Sequence, residues 1–355
     1  MIESTNFLPE WASPPGATIN DILEEQGRTV HDLAREIGHT GYYTERLLDG
    51  SLPITEEIAT SLSQALGATP DFWLSRERQF RESLSRQAAS EQWLTGIPVA
   101  DMVRYGWLRQ VQNTKDKVNA CLEYFNVPTV AEWYERYEGA DRLAAFRTSE
   151  TFTSAEGAVL AWLRKGEIEA AKRECGKWDR KRFREALPNL RVLTRIKNPS
   201  DFIPKLTSIC AECGVAVVIA RAPKGCRASG ATRLISPDKA LLMLSFRYLS
   251  DDHFWFTFFH EAGHLILHDT KALFLEGGEL CSENEEEEAN SFSSNVLIPL
   301  EHQAAMRALP LDARAVMRFA REIGISPGIV VGQLQHLGRF SPAQLNNLKV
   351  RYSWS

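Results

Sequence analysis

The sequence predicts a mainly α protein with one small β-sheet, an α+β chain, on three observations. Apolar residues recur at helical spacing through most of the 355 residues. Glycines cut residues 14–86 into short helical runs, and β-rich runs fall only between 215 and 246. A chain that is 44% hydrophobic and 25% charged is an ordinary folded protein, long enough for two or three domains. The expected division is an all-helical domain over 1–88, a helical linker or middle domain over 89–200, and a sheet-bearing domain with carboxy-terminal helices over 201–355.

Taken in order, Pro14 to Gly27 reads as a helix closed by glycine, and Thr29 to Gly38 as a second with the same stop. Thr40 to Leu48 follows closely, which makes a helix-turn-helix pattern, and Thr55–Leu66 and Thr69–Arg86 add two helices. Within the candidate recognition helix, Tyr42, Tyr43, Thr44 and Arg46 are the candidate DNA contacts. The charge argues the other way. Residues 1–90 hold seven arginines, no lysine and fourteen acids, whereas phosphate contacts come mainly from Lys and Arg. DNA binding and a dimerisation or partner-recognition role therefore both stay open for this domain, and the sequence admits a homodimer.

Residues 97–200 read as helical, with apolar periodicity over Val111–Phe125 and Ser154–Glu174 and with Trp93, Trp107, Trp133, Trp162 and Trp178 as packing anchors. Between Arg164 and Lys197 lie twelve basic and five acidic residues. Such a run is most often a solvated face, though its sign also suits nucleic acid, an acidic protein, or the acidic amino-terminal domain. Six irregularly spaced cysteines make no disulfide framework, and Cys210 and Cys213, in an apparent helix over 202–213, read as packed thiols. The start of the chain lacks a basic region followed by an apolar one, and no apolar run reaches membrane-spanning length, so a cytoplasmic location is expected.

From residue 215 the pattern changes to Val215–Ala220, Ala228–Ile235 and Ala240–Phe246, three strands divided by proline and glycine signals. An edge strand here is suited to holding an extended peptide. Arg227 and Arg247 are candidate substrate contacts. The next helix, residues 254–268, reads FWFTFFHEAGHLILH and contains the HExxH spacing. Residues four apart on a helix differ by about 40° and about 6 Å of rise, so His260 and His264 can converge on one ion, with Glu261 beside them as general base. The apolar flanks mark a buried helix in which two bare imidazoles would be costly without a partner.

A third ligand must come from elsewhere. His268 continues the spacing but sits about 12 Å along the axis from His260, too far to share a tetrahedral ion while the helix continues. Residues 281–299 begin acidic and lead into Ala289, Phe292, Val296 and Leu297 at helical spacing. Glu286, three before Ala289 and six before Phe292, falls on the apolar face. Asn290, one turn later, is placed to orient a ligand or a ligating histidine. Glu286 is the preferred third ligand, with Glu285 and Glu288 as alternatives. Cys226 and Cys281, in loops flanking these segments, are candidates for a thiolate that reaches and inhibits the metal.

The run from Phe254 to Asp269, the Glu-x-x-Ala-Asn-x-Phe segment ending at Pro299, and the tail Phe319–Gln335 together resemble the ImmA/IrrE family of metallo-endopeptidases over roughly residues 200–355. Residues 14–82, ending in Asp71-Phe72-Trp73-Leu74, look like an XRE/HigA-type helix-turn-helix domain. The first resemblance implies a zinc endopeptidase of thermolysin-like layout, with one Zn²⁺ per chain held by His260, His264 and Glu286 and with Glu261 as base. It implies regulated cleavage of a helix-turn-helix repressor, antitoxin or toxin partner in stress, mobile-element or toxin–antitoxin control. Ser293 stands where that family usually has alanine, at a helix-packing position. The competing class is a non-enzymatic DNA-binding antitoxin or transcriptional regulator whose protease-like domain senses a signal or partner.

Overall fold

The computed structural model describes residues 13–138, 156–268, 274–275 and 283–354. Cα packing divides the chain once, into Met1–Trp93 and Leu94–Ser355. The first unit holds α1 (Pro15–Glu25), α2 (Val30–Glu36), α3 (Gly41–Leu48), α4 (Glu56–Leu66) and most of α5 (Pro70–Thr95). Thr29, Thr40 and Thr55 cap the starts of α2, α3 and α4 by accepting backbone N–H groups, and Thr29 forms a reciprocal box with Asp32. The helices close on Ile19, Leu33, Leu47, Leu62 and Trp73. A Cβ at Gly16 would lie 1.9 Å from the Leu48 carbonyl oxygen, so α1 and α3 meet only because residue 16 has no side chain.

The second unit contains α6 (Val99–Arg104), α7 (Thr114–Phe125), α8 (Val130–Glu138), α9 (Glu156–Ala171), α10 (Arg180–Val192), α11 (Pro199–Glu212), β1 (Val215–Ile219), β2 (Gly230–Ser236), β3 (Lys239–Leu244), α12 (Asp251–Leu267), β4 (Phe274–Leu275), α13 (Glu283–Leu297), α14 (Leu300–Arg307), α15 (Ala313–Ile323) and α16 (Pro327–His336). The sheet order is β1-β3-β2-β4, with β1 parallel and β2 antiparallel to β3, and β4 antiparallel to β2. The two-residue β4 is the strand that no sequence pattern announces.

Successive strand residues face opposite sides. Val215, Val217, Leu242 and Leu244 join Phe202, Leu206, Trp255 and Phe258 on one side, while Ala216, Val218, Leu241 and Met243 join Val159 and Trp162 on the other. A sheet covered on both faces explains why β1 and β3 read as continuous apolar runs rather than alternating ones. Trp162 also donates its indole N–H to the Ala220 carbonyl at 2.9 Å. Helix α9 thus forms one layer of this sandwich.

The metal-motif helix α12 is held at its start by two buried acids. Asp251 accepts hydrogen bonds from the Ser326 hydroxyl and from the Val350 N–H at 2.9 Å, and Asp252 pairs with Lys349 Nζ at 2.6 Å. Gly328 and Gly332 on α16 leave room for these carboxylates. Burial raises Asp251 to about 6, against the hydrogen bond from Ser326. A carboxyl held protonated to a higher pH in the fold contributes stability below its unfolded value near 3.8, and that contribution is lost as pH rises toward 6. Asp251→Asn removes this dependence, so the stability of wild type relative to the variant should fall between pH 4 and pH 7 by on the order of 3 kcal/mol. Urea midpoints of both proteins at the two pH values measure it, and parallel pH dependences would contradict the assignment.

Among the described residues no helix is long and apolar enough to cross a membrane.

Candidate metal centre

Residue 263, inside the HExxH spacing, is glycine, and that absence of a side chain builds the site. A Cβ there would lie 3.1 Å from the Phe292 ring and 3.3 Å from the Ala289 Cα, so α13 approaches α12 face to face at this point. Ser293 is fully buried and donates its hydroxyl to the Phe256 carbonyl at 2.8 Å, which accommodates the polar residue between the helices. With α13 seated there, Glu286 stands over the histidine pair.

The donor atoms converge. His260 Nε2 and His264 Nε2 are 3.1 Å apart, Glu286 Oε2 is 3.4 Å from the first, and Glu286 Oε1 is 3.5 Å from the second. Ligands about 2.0–2.1 Å from a tetrahedral Zn²⁺ are separated by roughly 3.3 Å, so the three residues fit such an ion. Among the described residues these three are the group of potential ligands able to meet on one ion. Burial first, and then the neighbouring His264, push the His260 pKa down to about 4, which keeps its ring neutral and available as a ligand. Its Nδ1 lies 3.0 Å from Asn290 Oδ1; with Nδ1–H donating to that oxygen, the Nε2 lone pair points at the other donors.

Glu261 is fully buried beside them, against β2. A Cβ at Gly230 would come within 2.4 Å of Glu261 Oε1 and 2.7 Å of the Thr257 methyl group. Gly230→Ala should therefore displace the Glu261 carboxylate and cost about 1–3 kcal/mol, as overpacked cores do. A urea midpoint and a turnover measurement on the same preparation check both parts; unchanged values in both would show that the neighbouring strand yields without strain.

The other candidates are placed differently. Glu288 pairs with His268 rather than with the converging donors. His268 lies just beyond the end of α12, its ring against His264 and its carbonyl accepting from Arg180 at 3.2 Å. Arg191 donates to the carbonyl of Leu297, the last residue of α13, at 3.0 Å. Part of the basic run thus serves as partners for helix carboxyl ends, a use that its charge count did not reveal.

Cys226 corrects the inhibitory-thiolate expectation. It is buried on the face of the sheet opposite α12, among Ala158, Trp162 and Met243, where burial pushes its thiol up to about 11. Cys281 lies outside the described residues. Cys210 and Cys213 are buried packed thiols whose pKa values burial raises. Arg247 donates to the Arg227 carbonyl and lies over the Tyr248 ring.

On α3, Tyr42 is 71% exposed with the Arg46 guanidinium 6.0 Å from its ring centre, whereas Tyr43 is half-buried and stacked on His39. Thr44 must be removed from the candidate DNA contacts. It is fully buried, and its hydroxyl donates back to the Thr40 carbonyl at 3.1 Å.

Comparison with known proteins gives two matches. Residues 214–334 match the Peptidase_M78 family, described as the IrrE N-terminal-like domain. A 61-residue stretch is 33% identical to YddM of Escherichia coli (strain K12), an uncharacterized HTH-type transcriptional regulator. That alignment covers 17% of this chain and 65% of the relative. Residues 214–334 are therefore similar to the IrrE N-terminal-like domain of the Peptidase_M78 family, and a further stretch of the chain is similar to an HTH-type transcriptional regulator.

Proposed function

We propose that this protein is a zinc-dependent endopeptidase that cuts a helix-turn-helix repressor or antitoxin. The observation that carries the reading is the convergence of His260, His264 and Glu286 at 3.1–3.5 Å, next to a buried glutamate, inside a peptidase-family domain. A divalent ion held by those residues supplies Lewis acidity toward water and toward the scissile carbonyl. Glu261 takes the proton from the attacking water and returns it to the leaving amine. Asn290 keeps His260 in the tautomer that directs Nε2 inward.

The test is product mapping with metal removal. Full-length protein incubated with a helix-turn-helix protein should generate one discrete new amino terminus, a chelator should abolish it, and stoichiometric Zn²⁺ should restore it. Cleavage indifferent to chelation, or none by zinc-loaded protein against substrates encoded beside its own gene, would reject the proposal.

A second reading, a DNA-binding regulator, is favoured by exposed Tyr42 with Arg46 beside it and by the HTH-type relative. The excess of acids in residues 1–90 weakens it.

A further inference from the structure

With Glu288 ionised and both rings neutral, the Glu288–His268–His264 series admits one arrangement of protons. Glu288 Oε2 is 3.0 Å from His268 Nε2, and His268 Nδ1 is 3.0 Å from His264 Nδ1. An ionised carboxylate only accepts, so His268 carries its proton on Nε2. A neutral imidazole then has a lone pair on Nδ1, which accepts from His264 Nδ1–H. It follows that His264 presents a lone pair at Nε2, the atom 3.1 Å from His260 Nε2 and 3.5 Å from Glu286.

The backbone puts His268 in position. After Leu267 the chain turns extended, with φ −106° and ψ 165° at residue 268. The His268 N–H still donates to the His264 carbonyl at 3.2 Å, while Arg180 grips the His268 carbonyl. The ring is therefore turned toward α13 rather than continuing the line of His260 and His264 along α12. It is buried, while Glu288 at its far end is largely exposed. The two inward-facing imidazoles thus have unlike supports, a neutral amide behind His260 and a histidine–carboxylate pair behind His264.

We propose that His268 is a positioning residue that, with Glu288, sets the tautomer and orientation of His264. This rests on reading the site as a metal centre, because the atom prepared is the one that would meet the ion. Partners of this kind commonly account for 10–100-fold in metal affinity.

The test uses full-length protein and two readouts. In metal-free protein, long-range ¹H–¹⁵N correlation of the histidine rings should report the Nδ1–H form of His264, and His268→Ala should lose that preference. Competition with a chromophoric chelator should show Zn²⁺ binding weakened about 10–100-fold in His268→Ala. Glu288→Ala, a change at a largely exposed residue, should weaken it in the same direction and guards against misfolding of the first variant. His268→Gln should restore most of the affinity, since its amide offers an acceptor toward His264 and a donor toward Glu288. An unchanged His264 tautomer together with Zn²⁺ affinity within twofold in His268→Ala would overturn the proposal, as would equal losses in the Ala and Gln variants. Wild-type protein that binds no Zn²⁺ sinks the metal reading itself, and the tautomer result then decides the relay.

Discussion

Glu261→Gln should keep one Zn²⁺ per chain and cut its protein substrate at least about 100-fold more slowly than the parent, since a positioned general base contributes about 10²–10⁴-fold. The substitution preserves shape. Glutamine fills the same volume, and the close approach of Gly230 to residue 261 leaves the carboxylate position well defined. What it removes is the capacity to take a proton. Rates of new amino-terminus formation, with metal content measured on the same samples, separate this chemistry from a collapsed site. Cleavage within threefold of wild type at full zinc occupancy would take the base role from Glu261.

Glu286→Ala should weaken Zn²⁺ binding by more than the 10–100-fold expected for an outer partner, because the lost group is one of the converging donors. Both of its oxygens take part in the geometry, one 3.4 Å from His260 and the other 3.5 Å from His264. Glu287→Ala, at the exposed acid that follows, is the matched control and should stay within about threefold, since exposed charges contribute little. Chelator competition on the three proteins measures the difference. Tight stoichiometric zinc in Glu286→Ala would exclude that carboxylate from the ligand set and turn attention to its neighbours.

Much of this centre was readable in advance because it depends on helix phase. Ala289 is fully buried and faces Gly263, so counting back three from it reaches the residue one turn nearer the amino terminus on the same face. The strands were readable for a similar reason, since their continuous apolar runs reflect burial on both sheet faces. The HTH pattern was legible through its glycine stops at positions 27 and 38, each with positive φ.

What escaped detection depends on contacts between distant residues or on local chain turns. Gly230 meets Glu261 across 31 positions of sequence, and no periodicity connects them. His268 turns away because α12 ends at Leu267, where no glycine or proline announces a stop. Thr44 sits in a helix whose apolar face is narrow enough that a small polar residue can be inside without altering the pattern. Arg180 and Arg191 look like members of a solvated run until the carbonyls 88 and 106 residues away are in view.

Those two arginines give α10 the role of a caliper. They stand eleven residues apart, about 16 Å along a helix, and each jaw closes on the carboxyl end of one of the two helices that bring the donors together. The two ends are thereby tied to one helix that also packs against α12 and α13 through Phe183, Leu187 and Leu190. One residue inserted within α10 between the two arginines would turn one jaw by about 100° and open it.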